Sequence, residues 1–286
     1  MSVKVQRHGR PGPDDEGYAR ALGEGVARTV RRLERSPRMF DAALDKALTH
    51  VQARCAVDPD ASEIDTWEAV VSAMQIGSAL FASAGTTEGT VECRINHEMR
   101  TIQAMGAQPY ADAGNWLTAF WFAVICRDQT RMTQLCEIPI DLLRAADAEY
   151  DEYIYHWVDS LQTYWLERQG LVEKLTLAIE KSHPDIAQIT DQDLLNKILY
   201  QPINLFYRFL RKDHNGFNQA LTEALEAHKA YWTANEARER SVAGYLAIGP
   251  LAIACLAYDA GRPIEVESDY LPKHLLTRGW VGEFPT

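Results

Sequence analysis

The sequence predicts a mainly α-helical fold: a single compact domain of packed αα-hairpins, stacked irregularly and only loosely like tetratricopeptide repeats, with one small β-hairpin near 89–104. Three observations carry this expectation. Apolar residues recur every three or four positions along most of the chain, the period of a helix with one buried face. Two-residue alternation appears in one stretch only, at Val91, Cys93 and Ile95. No long Gly/Ser/Pro linker divides the 286 residues, so residues 15–286 read as one domain.

Residues 1–14 are charged and rich in Pro and Gly, and are expected to form a flexible arm. A first stripe follows with Tyr18, Leu22, Val26, Val30 and Leu33. Ser36-Pro37 reads as an N-cap with proline at the first helical position. Phe40, Leu44, Ala47, Leu48, Val51 and Cys55 make a second stripe, which Asp58-Pro59-Asp60 breaks. Trp67, Val70, Val71, Met74 and Phe81 make a third. After the 85–89 loop comes the alternating stretch, with a turn at Asn96-His97-Glu98. Helices are then expected near 114–127, 129–136, 139–146, 150–168, 171–182, 192–200, 203–212, 215–234 and 245–260, followed by an irregular tail. The segments around Asp128 and Asp213 echo each other. Each closes an aromatic-rich helix with a basic-acidic pair, and each Asp is placed to cap the next helix.

Forty Asp and Glu against 29 Lys and Arg give a net charge of −11, which repels phosphate and argues against general nucleic-acid binding. Five cysteines lie mostly in apolar runs and none forms a C-x-x-C pair. They read as buried thiols of a reducing cytosol, so a cytoplasmic location is expected. The first residues lack the apolar core of a secretory signal. The apolar runs Trp116–Cys126 and Tyr245–Tyr258 are shorter than the ~20 residues of a membrane-spanning helix, and are expected as core helices.

Phosphate-loop, dinucleotide, zinc-protease and nucleophile-elbow motifs are all missing, so the residues offer no support for an enzyme, a cofactor or a metal. Glu152 and His156, four apart on a helix, are spaced to share a metal, but no third ligand is evident nearby; a helix-surface hydrogen bond is the simpler reading. Cys93 and His97 likewise lack a second pair. His228, on an apolar stripe, reads as a hydrogen-bonded core residue. Arg28, Arg31, Arg32 and Arg35 share one face of the first helix and fit a solvated face; the alternative is an anion- or partner-binding strip. The densest acidic cluster, Asp147, Glu149, Asp151 and Glu152, is interleaved with Tyr150 and Tyr153. It is either a helix start favoured by the dipole with core tyrosines, or an acidic, aromatic binding patch.

Several distinctive stretches carry a resemblance. They include Asn115-Trp116-Leu117-Thr118-Ala119-Phe120 running into Ile125-Cys126-Arg127-Asp128, and Asp151-Glu152-Tyr153-Ile154-Tyr155. Gly216-Phe217-Asn218-Gln219-Ala220-Leu221 and the run from Gly249-Pro250 to Ala260-Gly261 also contribute. Together they resemble immunity protein family 49 of actinobacterial polymorphic toxin systems, from about residue 15 onward. The resemblance implies a helical antitoxin that neutralises a cognate toxin domain by stoichiometric binding. It supplies no site residue. Surplus acid suits a basic toxin, and complementary charge speeds association. On that footing the contact surface is expected to include some of Asp147, Glu149, Tyr150, Asp151, Glu152 and Tyr153. The competing expectation is a helical-repeat adaptor that binds a peptide or regulatory protein in a groove.

Overall fold

The computed structural model describes residues 2–286, so Met1 lies outside the described residues. The N-terminal segment departs at once from the expected free arm. Strand β1 (Val3–Lys4) pairs in parallel with β4 (Val266–Glu267), and Val5 is buried. Arg7 donates to the carbonyls of Cys55 and Ala56 at 2.8 and 3.0 Å. Those carbonyls belong to the last turn of a helix, where no intrahelical partner exists and a cation is favoured. His8 is buried beside Tyr270, whose hydroxyl accepts its backbone N–H at 2.9 Å. The segment is therefore held by groups more than forty residues away, which local composition does not reveal.

Helices α1 (Asp15–Leu33), α2 (Phe40–Val57) and α3 (Ile64–Ala84) pack in succession, and α3 continues onto α4 (Ala113–Cys126). A 3-10 turn at Pro37–Met39 starts α2, and Ser36 gives it no side-chain cap. The break at Asp58 has a clear cause. Its carboxylate is buried and accepts from Ser62 N, Glu63 N and Thr66 Oγ1 at 2.7–2.9 Å, which fixes the entry to α3. Burial alone would raise its pKa, but these bonds outweigh burial and hold it below the usual carboxylate range.

The expected hairpin forms between β2 (Thr90–Ile95) and β3 (Glu98–Gln103). Asn96 and His97 both adopt positive φ, 51° and 65°, as a two-residue turn of matching twist requires. The β1–β4 pair is a second, two-residue contact that the alternation test is too coarse to find.

The rest is helical, 61% of the chain in all. After α4 come α5 (Gln129–Cys136), α6 (Ile140–Arg144), α7 (Tyr153–Trp165), α8 (Leu171–Lys181) and α9 (Gln192–Leu194), the last running into a π-helical turn at Leu195–Leu199. Then follow α10 (Gln201–Leu210), α11 (His214–Trp232), α12 (Glu236–Glu239), α13 (Ile248–Asp259) and α14 (Lys273–Leu276). Asp128 and Asp213 do cap α5 and α11, accepting from Arg131 N at 3.0 Å and Gly216 N at 2.9 Å. The α4–α5 and α10–α11 hairpins do not form a regular repeat, because α13 packs against both α4 and α10.

One cluster of buried side chains runs from Val5 to Leu276 and includes Trp67, Trp116, Trp157, Phe120, Phe206 and Phe217. The 18 residues Val242–Asp259 are apolar enough by length and composition to cross a membrane, with mean hydropathy 1.5. In this fold 61% of them are buried, and α13 is a core helix. His228 is buried, with Nε2 2.9 Å from the Gly244 carbonyl, as its place on an apolar stripe implies. Arg28, Arg31 and Arg32 of α1, and Arg35 just past its end, are exposed, as a solvated face requires.

Candidate functional site: the acidic loop before helix α7

The six residues expected to form the contact surface do not share one environment. Helix α7 begins at Tyr153, so Asp147, Glu149, Tyr150 and Asp151 precede it. Asp147 and Glu149 are exposed in the connection from α6. Glu152 is also exposed, and Arg144 grips it with two bonds, Nη1 to Oε1 at 2.8 Å and Nη2 to Oε2 at 2.6 Å. The same guanidinium lies 3.9 Å from the centre of the Tyr155 ring. These bonds hold the Glu152 carboxyl below its ordinary range. They also leave it poorly placed to ligate a metal with His156, and no group of three metal-binding side chains exists among the described residues.

The other three residues, Tyr150, Asp151 and Tyr153, face inward. Tyr153 is only 3% exposed, and burial pushes its phenol up to about 12. Tyr150 is half-buried and donates to Asp112 Oδ1 at 3.0 Å. Asp112 in turn caps α4 by accepting from Asn115 N at 2.8 Å. A Cβ at Gly114 would lie 2.6 Å from the Tyr150 hydroxyl, so glycine is what admits the ring there. Asp151 is 7% exposed and accepts three backbone N–H groups, from Gln188 at 2.7 Å, Ile189 at 3.0 Å and Thr190 at 2.8 Å. Burial acts to raise its pKa, yet the three amides prevail and lower it.

Those amides belong to the 182–191 loop, and the loop holds what the sequence reading missed. Ile186 and Ile189 are 50% and 57% exposed, large apolar side chains three residues apart. Asp151 ties Ile189 to the start of α7, beside Glu152. The loop that carries both isoleucines is thus bonded to the residue just before Glu152. The signal was present as two isoleucines in a polar Pro/Asp/Gln/Thr segment, but nothing local joined it to residue 151. Large apolar groups exposed on an anchored loop have the make-up of an interface core.

The five cysteines are free and buried. Burial raises every one of their thiols, those of Cys55 and Cys255 to about 12, which leaves them inert at neutral pH.

The chain belongs to the immunity protein 49 family, whose model matches residues 58–275. No curated protein and no solved structure matches it.

Proposed function

We propose that this protein neutralises a cognate toxin domain in the cytoplasm of the cell that makes both, by stoichiometric binding rather than by catalysis. Membership of the immunity protein family is the observation that carries the reading. The net charge of −11 favours a basic toxin, since complementary potentials steer encounter. Asp147, Glu149 and Glu152 form the charged rim of the contact surface, and Ile186 and Ile189 supply its apolar centre. Asp151, Tyr150 and Tyr153 act from beneath, by fixing the loop and the start of α7. A helical-repeat adaptor is less well supported, because α13 interrupts the direct stacking of hairpins on which an open repeat groove depends.

Co-expression with the toxin encoded beside it tests the proposal. Cells carrying both genes should survive induction that kills cells carrying the toxin alone. Equal killing with and without this protein, despite its accumulation in folded form, would sink the idea.

A further inference from the structure

A cleft of about 400 Å³ opens between α1, α2, α3 and the Asn96–His97 turn of the hairpin, and none of its lining residues belongs to the acidic loop. Val26, Ala27 and Ala69 give it apolar walls. The ring of His50 leans over Gly23, where a Cβ would lie 2.9 Å from both Cε1 and Nε2, so a larger residue would push the imidazole away. Burial, with the Arg54 charge nearby, holds His50 down at about 4, which makes it a neutral ring at physiological pH. Its lone pair is then available without a positive charge.

The cleft combines two kinds of unmet demand. Along one face of α3, Asp65 and Glu68 stand exposed at the rim, followed one and two turns on by Ser72 and Gln75 at the floor. Ser72 and Gln75 are 8% and 1% exposed, and Ser72 Oγ and Gln75 Nε2 have no hydrogen-bond partner. Arg54 Nε beside them is unpartnered too. Buried polar groups are normally paired, so three orphans around one cleft mark a place where something else supplies the partners. Gln75 Nε2 and Arg54 Nε are donors and call for a carbonyl oxygen. The rim calls for a cation. Arg54 is already neutralised by Glu16 at 2.8 Å and by Glu63. Glu24 pairs with Arg28 at 3.4 Å, and Glu68 lies 3.8 Å from His97 Nε2. Asp65 has no ion-pair partner among the described residues, and Arg20 is the one other cationic side chain in the lining.

The geometry points to a peptide cleft that receives a short basic loop of the partner, one arginine or lysine held by Asp65 and Glu68 while a carbonyl of the same segment accepts from the floor. An anionic ligand would meet the rim carboxylates, and a purely apolar one would leave the floor unpaired. The inference rests on the toxin-binding reading, and adds a second point of attachment and the chemistry that fills it.

The test uses the full chain and the capped tripeptide acetyl-Gly-Arg-Gly-amide, with acetyl-Gly-Glu-Gly-amide as control, followed through the His50 ring resonances by NMR. The arginine peptide should shift them saturably and the glutamate peptide should not. The D65N/E68Q variant, altered only at exposed positions, should bind the arginine peptide at least tenfold more weakly. No saturable shift in the native protein, an equal response to both peptides, or full binding by a folded D65N/E68Q variant would each overturn the assignment and leave a water-filled cleft. Because no toxin is present, these outcomes are separate from those of co-expression. Protection without peptide binding removes the cleft alone, and peptide binding without protection removes the toxin reading.

Discussion

The carboxylate of Asp151 accepts the backbone N–H of Ile189 at 3.0 Å, and through that bond and its two neighbours it sets the position of the loop that carries the exposed isoleucines. A buried acid in front of α7 thus controls a surface feature 38 residues further along the chain. In the proposed function its part is indirect: it holds the loop assigned to the contact.

Asp151→Ala should leave three loop amides without their acceptor and lower stability by about 1–3 kcal/mol. Hydrogen exchange at Gln188, Ile189 and Thr190 should accelerate sharply, while amides in the middle of α3 change only with global stability. Unchanged protection at those three positions would mean that the loop holds itself without Asp151.

The rim and the centre should separate kinetically. Replacing Asp147, Glu149 and Glu152 together with Asn, Gln and Gln should slow association with the toxin and flatten its salt dependence, with little effect on melting temperature. Ile189→Ala should instead speed dissociation, about tenfold if the side chain contributes ~1.4 kcal/mol. Tyr153→Ala belongs to neither group. It empties a core site, and should cost roughly 3–5 kcal/mol of stability while leaving the affinity of the folded fraction intact. Stopped-flow binding and thermal melts on the same three variants distinguish these roles.

Acid should destabilise the protein in a window set by His228, which is buried, and His50, which is partly buried. His50 and His228 are both held at about 4, mainly by burial, against ~6.5 in an unfolded chain. Below 6.5 the unfolded state takes up protons that the folded state refuses, so stability falls as pH drops from about 6.5 to about 4. The slope approaches ~1.4 kcal/mol per pH unit for each histidine. His228→Gln should flatten that slope across the same interval. A denaturant series at several pH values reads it, and a slope unaffected by the substitution would place the titration elsewhere.

Native thiols should resist labelling. Cys126 and Cys255 lie in apolar surroundings, with their thiols raised by burial, so a bulky thiol reagent should modify them only after unfolding. Rapid modification of either residue in folded protein would contradict their placement in the core.

Much of this architecture was legible because it is local. Asp128 and Asp213 each cap a helix three residues away, and the positive-φ pair Asn96–His97 sits where the alternating stretch folds back on itself. Features decided by distant partners were not legible. Arg7 is 48 residues from the carbonyl it meets, so a Pro/Gly-rich segment that composition reads as free is fastened at both ends of its strand. The directions of the candidate side chains are decided by distant partners too. Charge and tyrosines alone could not show that Asp151 turns toward the 182–191 loop, or that α7 starts at Tyr153 and carries that ring inward. Ile186 and Ile189 were visible as letters, but only the fold ties their loop to Asp151.

The most direct measurement of the central claim is the mass of the species formed when the purified protein is mixed with an inactivated form of the toxin encoded beside it, read by native mass spectrometry or light scattering. A single complex with one copy of each chain, lost on combined replacement of Asp147, Glu149, Glu152 and Ile189, is the predicted result. Two unassociated proteins at concentrations where the toxin is nevertheless silenced in cells would contradict neutralisation by binding.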